Sequence, residues 1–298
     1  MAAQKAQPAV LKIALLTAAA MVAFAANSIL NRLALAGGHI DAVTYTGMRL
    51  LSGAVILALI LSLRGRAPRR DRLGGSLGGA LALLAYAIAF SLAYLELAAG
   101  TGALILFASV QIAMLGWALR RGERPGAFEW LGFLVAGAFL LALLLPGATA
   151  PDPLGAALMV LAGIAWAAYS LIGRGSAAPL VDTAGNFIRC LPLALLFLLP
   201  GLILQTASPA GWGYAIASGA LASGLGYAIW YSVLPALTRI SAAFVQLSVP
   251  AIAAAGGVVF IAEPLTLRLT VCAVGILGGV ALALWAAEAR KARVPPHK

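Results

Sequence analysis

Residues 24–32 read FAANSILNR and residues 166–174 read WAAYSLIGR. Both stretches place an aromatic residue first, then Ala-Ala, a polar residue, Ser, two branched apolar residues, a small or amide residue, and Arg. They lie about 140 residues apart in a chain of 298. That spacing is too long for a solenoid repeat and fits a membrane transporter built by duplicating one half. Asn27, Asn31 and Tyr169 interrupt otherwise apolar runs, where a polar group is costly unless paired or facing water. Helix packing through small residues, with a few satisfied amides, accounts for any one of them. It does not account for the repetition.

Composition sets the class. Hydrophobic residues make up 63% of the chain and charged residues 10%, with a mean hydropathy of +1.01. Soluble domains carry about 25% charge, so no soluble surface can be built from this chain. Apolar stretches of roughly 18–24 residues recur throughout, each long enough to cross a hydrocarbon core of about 30 Å. The alternation of lipid-facing and lumen-facing residues in a β-barrel is missing. Lys5 and Lys12 ahead of a small-residue run imitate a signal peptide. Asn27, Asn31 and Arg32 interrupt the place where cleavage would fall, so a retained first helix is expected.

Ten helices are predicted, at 11–35, 42–63, 73–95, 98–119, 128–146, 153–173, 183–204, 211–234, 241–261 and 268–288. The loops are short and marked by Pro or Gly. The turn from Pro146 to Pro153 separates five helices from five, giving repeats at 1–148 and 149–298 within one membrane domain. Cations set the orientation. Lys5, Lys12, Arg64, Arg66, Arg69, Arg70, Arg72, Arg120, Arg121, Arg124, Arg174, Arg239, Arg290, Lys291, Arg293 and Lys298 all fall on one side. By the positive-inside rule both termini are cytoplasmic, in a cell inner membrane. This asymmetry also explains the net charge of +11 without nucleic acid as a partner. An odd number of helices per half forces the second half in upside down. Accordingly Arg32 and Arg49 fall near the outer ends of helices 1 and 2, and their counterparts Arg174 and Arg189 near inner ends. The expected fold is all-α, with two inverted five-helix repeats around a central cavity.

These residues resemble the drug/metabolite transporter superfamily in its ten-helix EamA-type branch, across essentially the whole chain. The resemblance rests on FAANSILNR, WAAYSLIGR, the polar start of helix 2 running to Arg49, and the sequence Phe260-Ile261-Ala262-Glu263-Pro264-Leu265-Thr266 before helix 10. Within the branch the chain is most similar to the YddG-type exporters of aromatic amino acids. The resemblance implies a cavity walled by helices 3, 4, 8 and 9, with contributions from 1 and 6.

On those walls Tyr86, Phe90 and Tyr94 follow at i, i+4 and i+8 on one face of helix 3. Helix 8 carries Tyr227, Trp230 and Tyr231, and Tyr231 aligns with Tyr94 across the repeats. Gln111 on helix 4 and Gln246 on helix 9 add amides, and Trp166 and Tyr169 lie mid-span in helix 6. Rings with a polar handle suit a ligand with apolar and hydrogen-bonding parts. The expected substrate-binding set is Tyr86, Phe90, Tyr94, Gln111, Trp166, Tyr169, Tyr227, Tyr231 and Gln246. Trp117, Trp130, Trp212 and Trp285 lie near helix ends, where aromatic belts meet the membrane surface. Pro192 and Pro250 mark kinks.

The expected function is export of small metabolites by alternating access, with neutral and aromatic amino acids first and cationic drugs or proton coupling as the alternative. No carboxylate or histidine falls mid-span, so facilitated diffusion is the expected mode. Cys190 and Cys272 sit in apolar runs, placed for neither a disulfide nor a metal, and no cofactor is expected. A membrane enzyme is disfavoured, because there is no HExxH and no paired intramembrane aspartate. A channel is disfavoured too, because no ring of charges or filter repeat is visible.

Overall fold

The computed structural model describes residues 2–65 and 73–293. Arg66, Arg69, Arg70, Arg72 and Lys298 lie outside the described residues. The described chain is helical, and its helices are numbered here as ten: α1 (Ala2–Ala36), α2 (Ala42–Leu63), α3 (Leu77–Glu96), α4 (Ala99–Arg120), α5 (Ala127–Leu144), α6 (Pro153–Ile172), α7 (Pro179–Phe197, with a further turn at Leu199–Ile203), α8 (209–233), α9 (Arg239–Gln246 and Ser248–Ile261) and α10 (Leu267–Arg293). Among the described residues nine of these are long and apolar enough to cross a membrane. The tenth, α8, crosses in three pieces: Pro209–Ile216, a π-helical stretch Ala217–Leu225, and Gly226–Val233.

Local chemistry sets the ends. Asp41 caps α2 by accepting from the backbone N–H groups of Val43 and Thr44 at 3.1 and 2.9 Å. Asp152 caps α6 through Gly155 N–H at 2.7 Å, with Pro153 at the first helical position, where a missing N–H costs nothing. α3 starts at Leu77 rather than 73 because Gly75 turns at φ +75° and Ser76 caps the helix. α9 breaks at Leu247. Pro250 is the cause: it lacks an N–H and its ring crowds the carbonyl of Gln246, four residues back.

α1 packs on α8 and α9 as α6 packs on α3 and α4, α2 meets α8 as α7 meets α3, and α2–α7, α4–α9 and α5–α10 meet across the middle. These pairings are unchanged when each helix is exchanged with the one five places on, whereas α1 also packs on α3 and α4 with no match of that extent between α6 and α8 or α9. The α5–α10 pair shows how close contact is achieved. A Cβ on Gly132 would fall 2.5 Å from the Gly279 carbonyl, and one on Gly275 would meet the Phe139 ring at 2.2 Å. Arginines clamp both ends of the pair: Arg268 donates to the Ala142 carbonyl at 2.8 Å and to that of Leu145, and Arg290 pairs with buried Glu129 at 2.7 Å. Outward faces carry exposed Leu131, Leu134, Leu141, Val271 and Val274, the arrangement of a protein whose solvent is lipid. This is a multi-pass membrane protein.

The start of α1 and the end of α10 lie at one end of the bundle, called here the termini side; the opposite end is the far side.

Candidate functional site

The centre of the bundle is a stack of rings. Trp166 on α6 sits 4.8 Å from Tyr86 on α3, 5.2 Å from Tyr169 one turn along, and 6.0 Å from Tyr227 on α8, measured between ring centres. Tyr227 lies nearly parallel to Tyr231 at 6.1 Å, and Phe24 of α1 closes on Tyr227 at 5.6 Å. Along α3, Tyr86, Phe90 and Tyr94 follow at 5.2 and 4.7 Å. Seven of the nine residues expected from sequence therefore form one connected cluster. Most of it is buried; Trp166 and Tyr231 are half-exposed. Three of the phenols have partners here: Tyr169 donates to Thr183 Oγ1 at 3.1 Å, which lies 3.3 Å from Tyr231 OH, and Tyr94 donates to the Ala99 carbonyl at 3.2 Å.

Gln111 and Gln246 stand apart. Both are half-exposed, and neither side chain makes a hydrogen bond among the described residues. They mark a change in packing. On α4, residues 99–110 are buried except Thr101 and Phe107, whereas no residue from Gln111 to Arg120 is buried. On α9, only Ala242 is buried between Ser241 and Ser248. α4 and α9 thus pack together near the far side, where Gly100 meets Ala254, and lose buried contact toward the termini side. An apolar groove of about 830 Å³ runs beside the freed half of α4, between Ile112, Trp117, Val160, Ile164 and Leu171.

The far side is tied shut. Arg32 Nε meets Glu263 Oε1 at 3.2 Å, while its Nη1 donates to the carbonyls of Leu95 and Tyr94 at 2.8 and 3.2 Å. The other Glu263 oxygen accepts the Ala99 N–H, the first of α4, at 2.8 Å. One ion pair therefore joins α1, α3, α4 and the α9–α10 turn. Glu263 reaches this position because Ala262 takes the left-handed conformation at φ +55° and because Gly257 leaves room; a Cβ there would lie 2.4 Å from the carboxylate. The repeat counterparts on the termini side, Arg174 and Glu123, are exposed and form no ion pair among the described residues.

The residue that sequence reading undervalued is Arg49. Expected near the outer end of α2, its side chain turns inward and is 3% exposed, level with Tyr86 at the middle of α3. Its Nη2 donates to Tyr86 OH at 3.2 Å, and its guanidinium lies 5.3 and 5.1 Å from the Tyr86 and Phe90 ring centres. Among the described residues its Nη1 is buried without a hydrogen-bond partner, and Tyr45 OH one turn earlier on α2 makes none of good geometry. The π-helical stretch of α8 presses on the Arg49 backbone: a Cβ on Gly219 would come 2.1 Å from the Arg49 carbonyl. Beside it, Asn27 accepts from Ser218 at 2.8 Å and Ser223 at 3.3 Å, and Asn31 accepts from Ser91 at 3.2 Å. A signal for Arg49 was present, since Tyr45 and Arg49 share a face at i, i+4 and Arg49 lies inside an apolar run. No cluster of three His, Cys, Asp or Glu suited to a metal occurs among the described residues.

Comparison with known proteins bears on this architecture. Residues 153–285 match the EamA-like transporter family. The chain is 53% identical over 279 residues to a Pseudomonas aeruginosa protein, Uncharacterized protein PA1977, covering 94% of this chain and 96% of the other. It is 32% identical over 164 residues to the Threonine/homoserine exporter RhtA of Salmonella typhimurium, with 51% of this chain aligned to 52% of that protein. One crystal structure shares the fold at a TM-score of 0.60 and 20% identity, covering 91% of this chain and 99% of its own. The chain therefore carries an EamA-like transporter domain in its second half and belongs, over nearly its whole length, to one family with the Pseudomonas protein.

Proposed function

We propose that this protein exports small metabolites across a cell inner membrane by alternating access, with both termini cytoplasmic, and that its cargo is neutral amino acids, aromatic ones first. The observation that carries the reading is an asymmetry: a ring-walled centre lies between a far side tied by Arg32–Glu263 and a termini side where α4 and α9 are unpacked. That is the form of a carrier closed outward and loosened inward. The contact symmetry supports a duplicated unit, with repeats at 1–148 and 149–298 exchanging roles as the carrier turns over. The RhtA match supports export of an amino acid. The ring stack extends the cargo to aromatic side chains, which pack against Trp166 and Tyr86 with about 0.5–1.5 kcal/mol per ring pair beyond area burial.

A cationic drug is the weaker cargo, because the only buried arginine among the described residues, Arg49, faces the rings and would repel it. Among the described residues no acid or histidine stands among the rings to carry a proton, which favours facilitated diffusion. The test is a flux screen in proteoliposomes across amino acids and cationic drugs, with and without a pH gradient. Saturable efflux of phenylalanine, tryptophan or threonine, indifferent to the proton gradient, is the expected result. Transport of cations with no amino acid moved overturns the reading.

A further inference from the structure

We infer that Arg49 is an anion-binding residue of the transport site, and that the cargo must present a carboxylate to its Nη1. The inference deepens the proposed amino acid reading, but it fixes a chemical class that reading leaves open.

A guanidinium keeps its proton in proteins. Buried in a membrane protein, it therefore needs a counter-charge or a full set of acceptors. Arg49 has neither. The ionisable groups that face it are the phenols of Tyr86, Tyr45 and Tyr227, with no carboxylate among them. The buried acid, Glu129, is engaged by Arg290 at another site. Tyr86 OH and two ring faces stabilise part of the charge. The repeat counterpart gives an internal control: Arg189 directs its two terminal nitrogens to the backbone carbonyls of Gly74 and Leu73. Where the protein needs an arginine only for structure, it supplies the acceptors itself.

Among the described residues Arg49 Nη1 is a buried donor without an acceptor, while Tyr45 OH, one turn earlier, has the Ser218 hydroxyl nearby. A carboxylate oxygen supplies the acceptor that Nη1 lacks, in a charge-assisted hydrogen bond. A single buried cation also favours a monoanion, since a dianionic phosphate would leave one negative charge uncompensated.

The test uses the purified full chain and ligands that differ by one group. L-Phenylalanine and 3-phenylpropionate keep the carboxylate; phenethylamine and phenylalanine methyl ester lack it. Binding is read by ligand-induced thermal stabilisation and transport by competition in proteoliposomes. The expected result is that both carboxylates bind and compete, and that both carboxylate-free ligands are weaker by tenfold or more. This arm needs no variant and so does not depend on a mutant folding. Arg49→Met should weaken carboxylate binding at least tenfold, with Arg49→Lys partly restoring it. If the carboxylate-free ligands match phenylalanine, or if Arg49→Met transports with an unchanged KM, Arg49 is structural and the inference falls while the amino acid reading stands. If no amino acid binds but 3-phenylpropionate does, the amino acid reading falls and Arg49 keeps its role. Failure of every carboxylate to bind overturns the inference outright.

Discussion

At the scale of single residues, two kinds of polar group occupy the bundle. Trp166 is packed on three rings, so truncating it removes several contacts and opens a cavity. Trp166→Ala should destabilise the protein by about 3–5 kcal/mol, the range for large aromatic truncations. Trp166→Phe, which keeps a ring, should fold and lose mainly affinity. Gln246 makes no hydrogen bond among the described residues, so Gln246→Ala should shift stability by no more than about 0.5 kcal/mol. If flux nevertheless falls several-fold, the amide acts during transport. Melting temperature in detergent and initial flux rate separate the two cases. The rings were legible in the sequence because i, i+4 spacing puts them on one face whatever that face meets. Arg49 was only half legible. Its position along α2 is fixed by counting residues, but whether its side chain turns to the membrane surface or to the rings depends on α8 and α3, which counting does not place.

At the scale of elements, the two breaks in regular helix have different origins and different legibility. Pro250 announces its break, and the chain gives way between Gln246 and Ser248, where the ring of Pro250 meets the preceding turn. The π-helical stretch of α8 has no such marker. Its sequence, ASGALASGL, reads as an ordinary small-residue helix. Only packing shows why it widens: Gly219 and Gly224 lie against the backbone of Arg49 and the side chain of Ile56, and Ser218 and Ser223 both reach Asn27. Pro250→Ala should restore a backbone donor and make α9 continuous. A proline inside a helix costs about 3 kcal/mol, so the variant should melt higher. If the break lets the termini-side half of α9 swing, the same variant should transport several-fold more slowly. A higher melting temperature with undiminished turnover would reduce Pro250 to a tolerated kink.

At the scale of the whole molecule, the exchange symmetry of the helices turns one observed ion pair into a statement about two states. Arg32 and Glu263 are joined, while Arg174 and Glu123, which occupy the matching places in the other repeat, are not joined among the described residues. Inverting the structure about its approximate two-fold axis would join the second pair and part the first. The pairing of motifs and the opposite insertion of the halves were readable from the sequence, since FAANSILNR and WAAYSLIGR carry the two arginines. Which pair is closed was not readable, because the two states share one sequence and differ only in packing. The expected consequence is a pair of substitutions with opposite effects. Glu263→Gln keeps an oxygen for the Ala99 N–H but loses the charge that holds Arg32, so it should favour opening of the far side. Glu123→Gln should weaken the opposite closure and favour the state described here. The readout is Ser28→Cys in a background lacking Cys190 and Cys272, because Ser28 is buried one turn beneath Arg32. A part-exposed pair worth about 1 kcal/mol shifts the equilibrium by about fivefold. Labelling of that cysteine by an impermeant reagent from the far side should therefore quicken by that factor in Glu263→Gln and slow in Glu123→Gln, and flux should fall in both. Equal labelling in the two variants would mean that these charges fasten helix ends without governing which side opens.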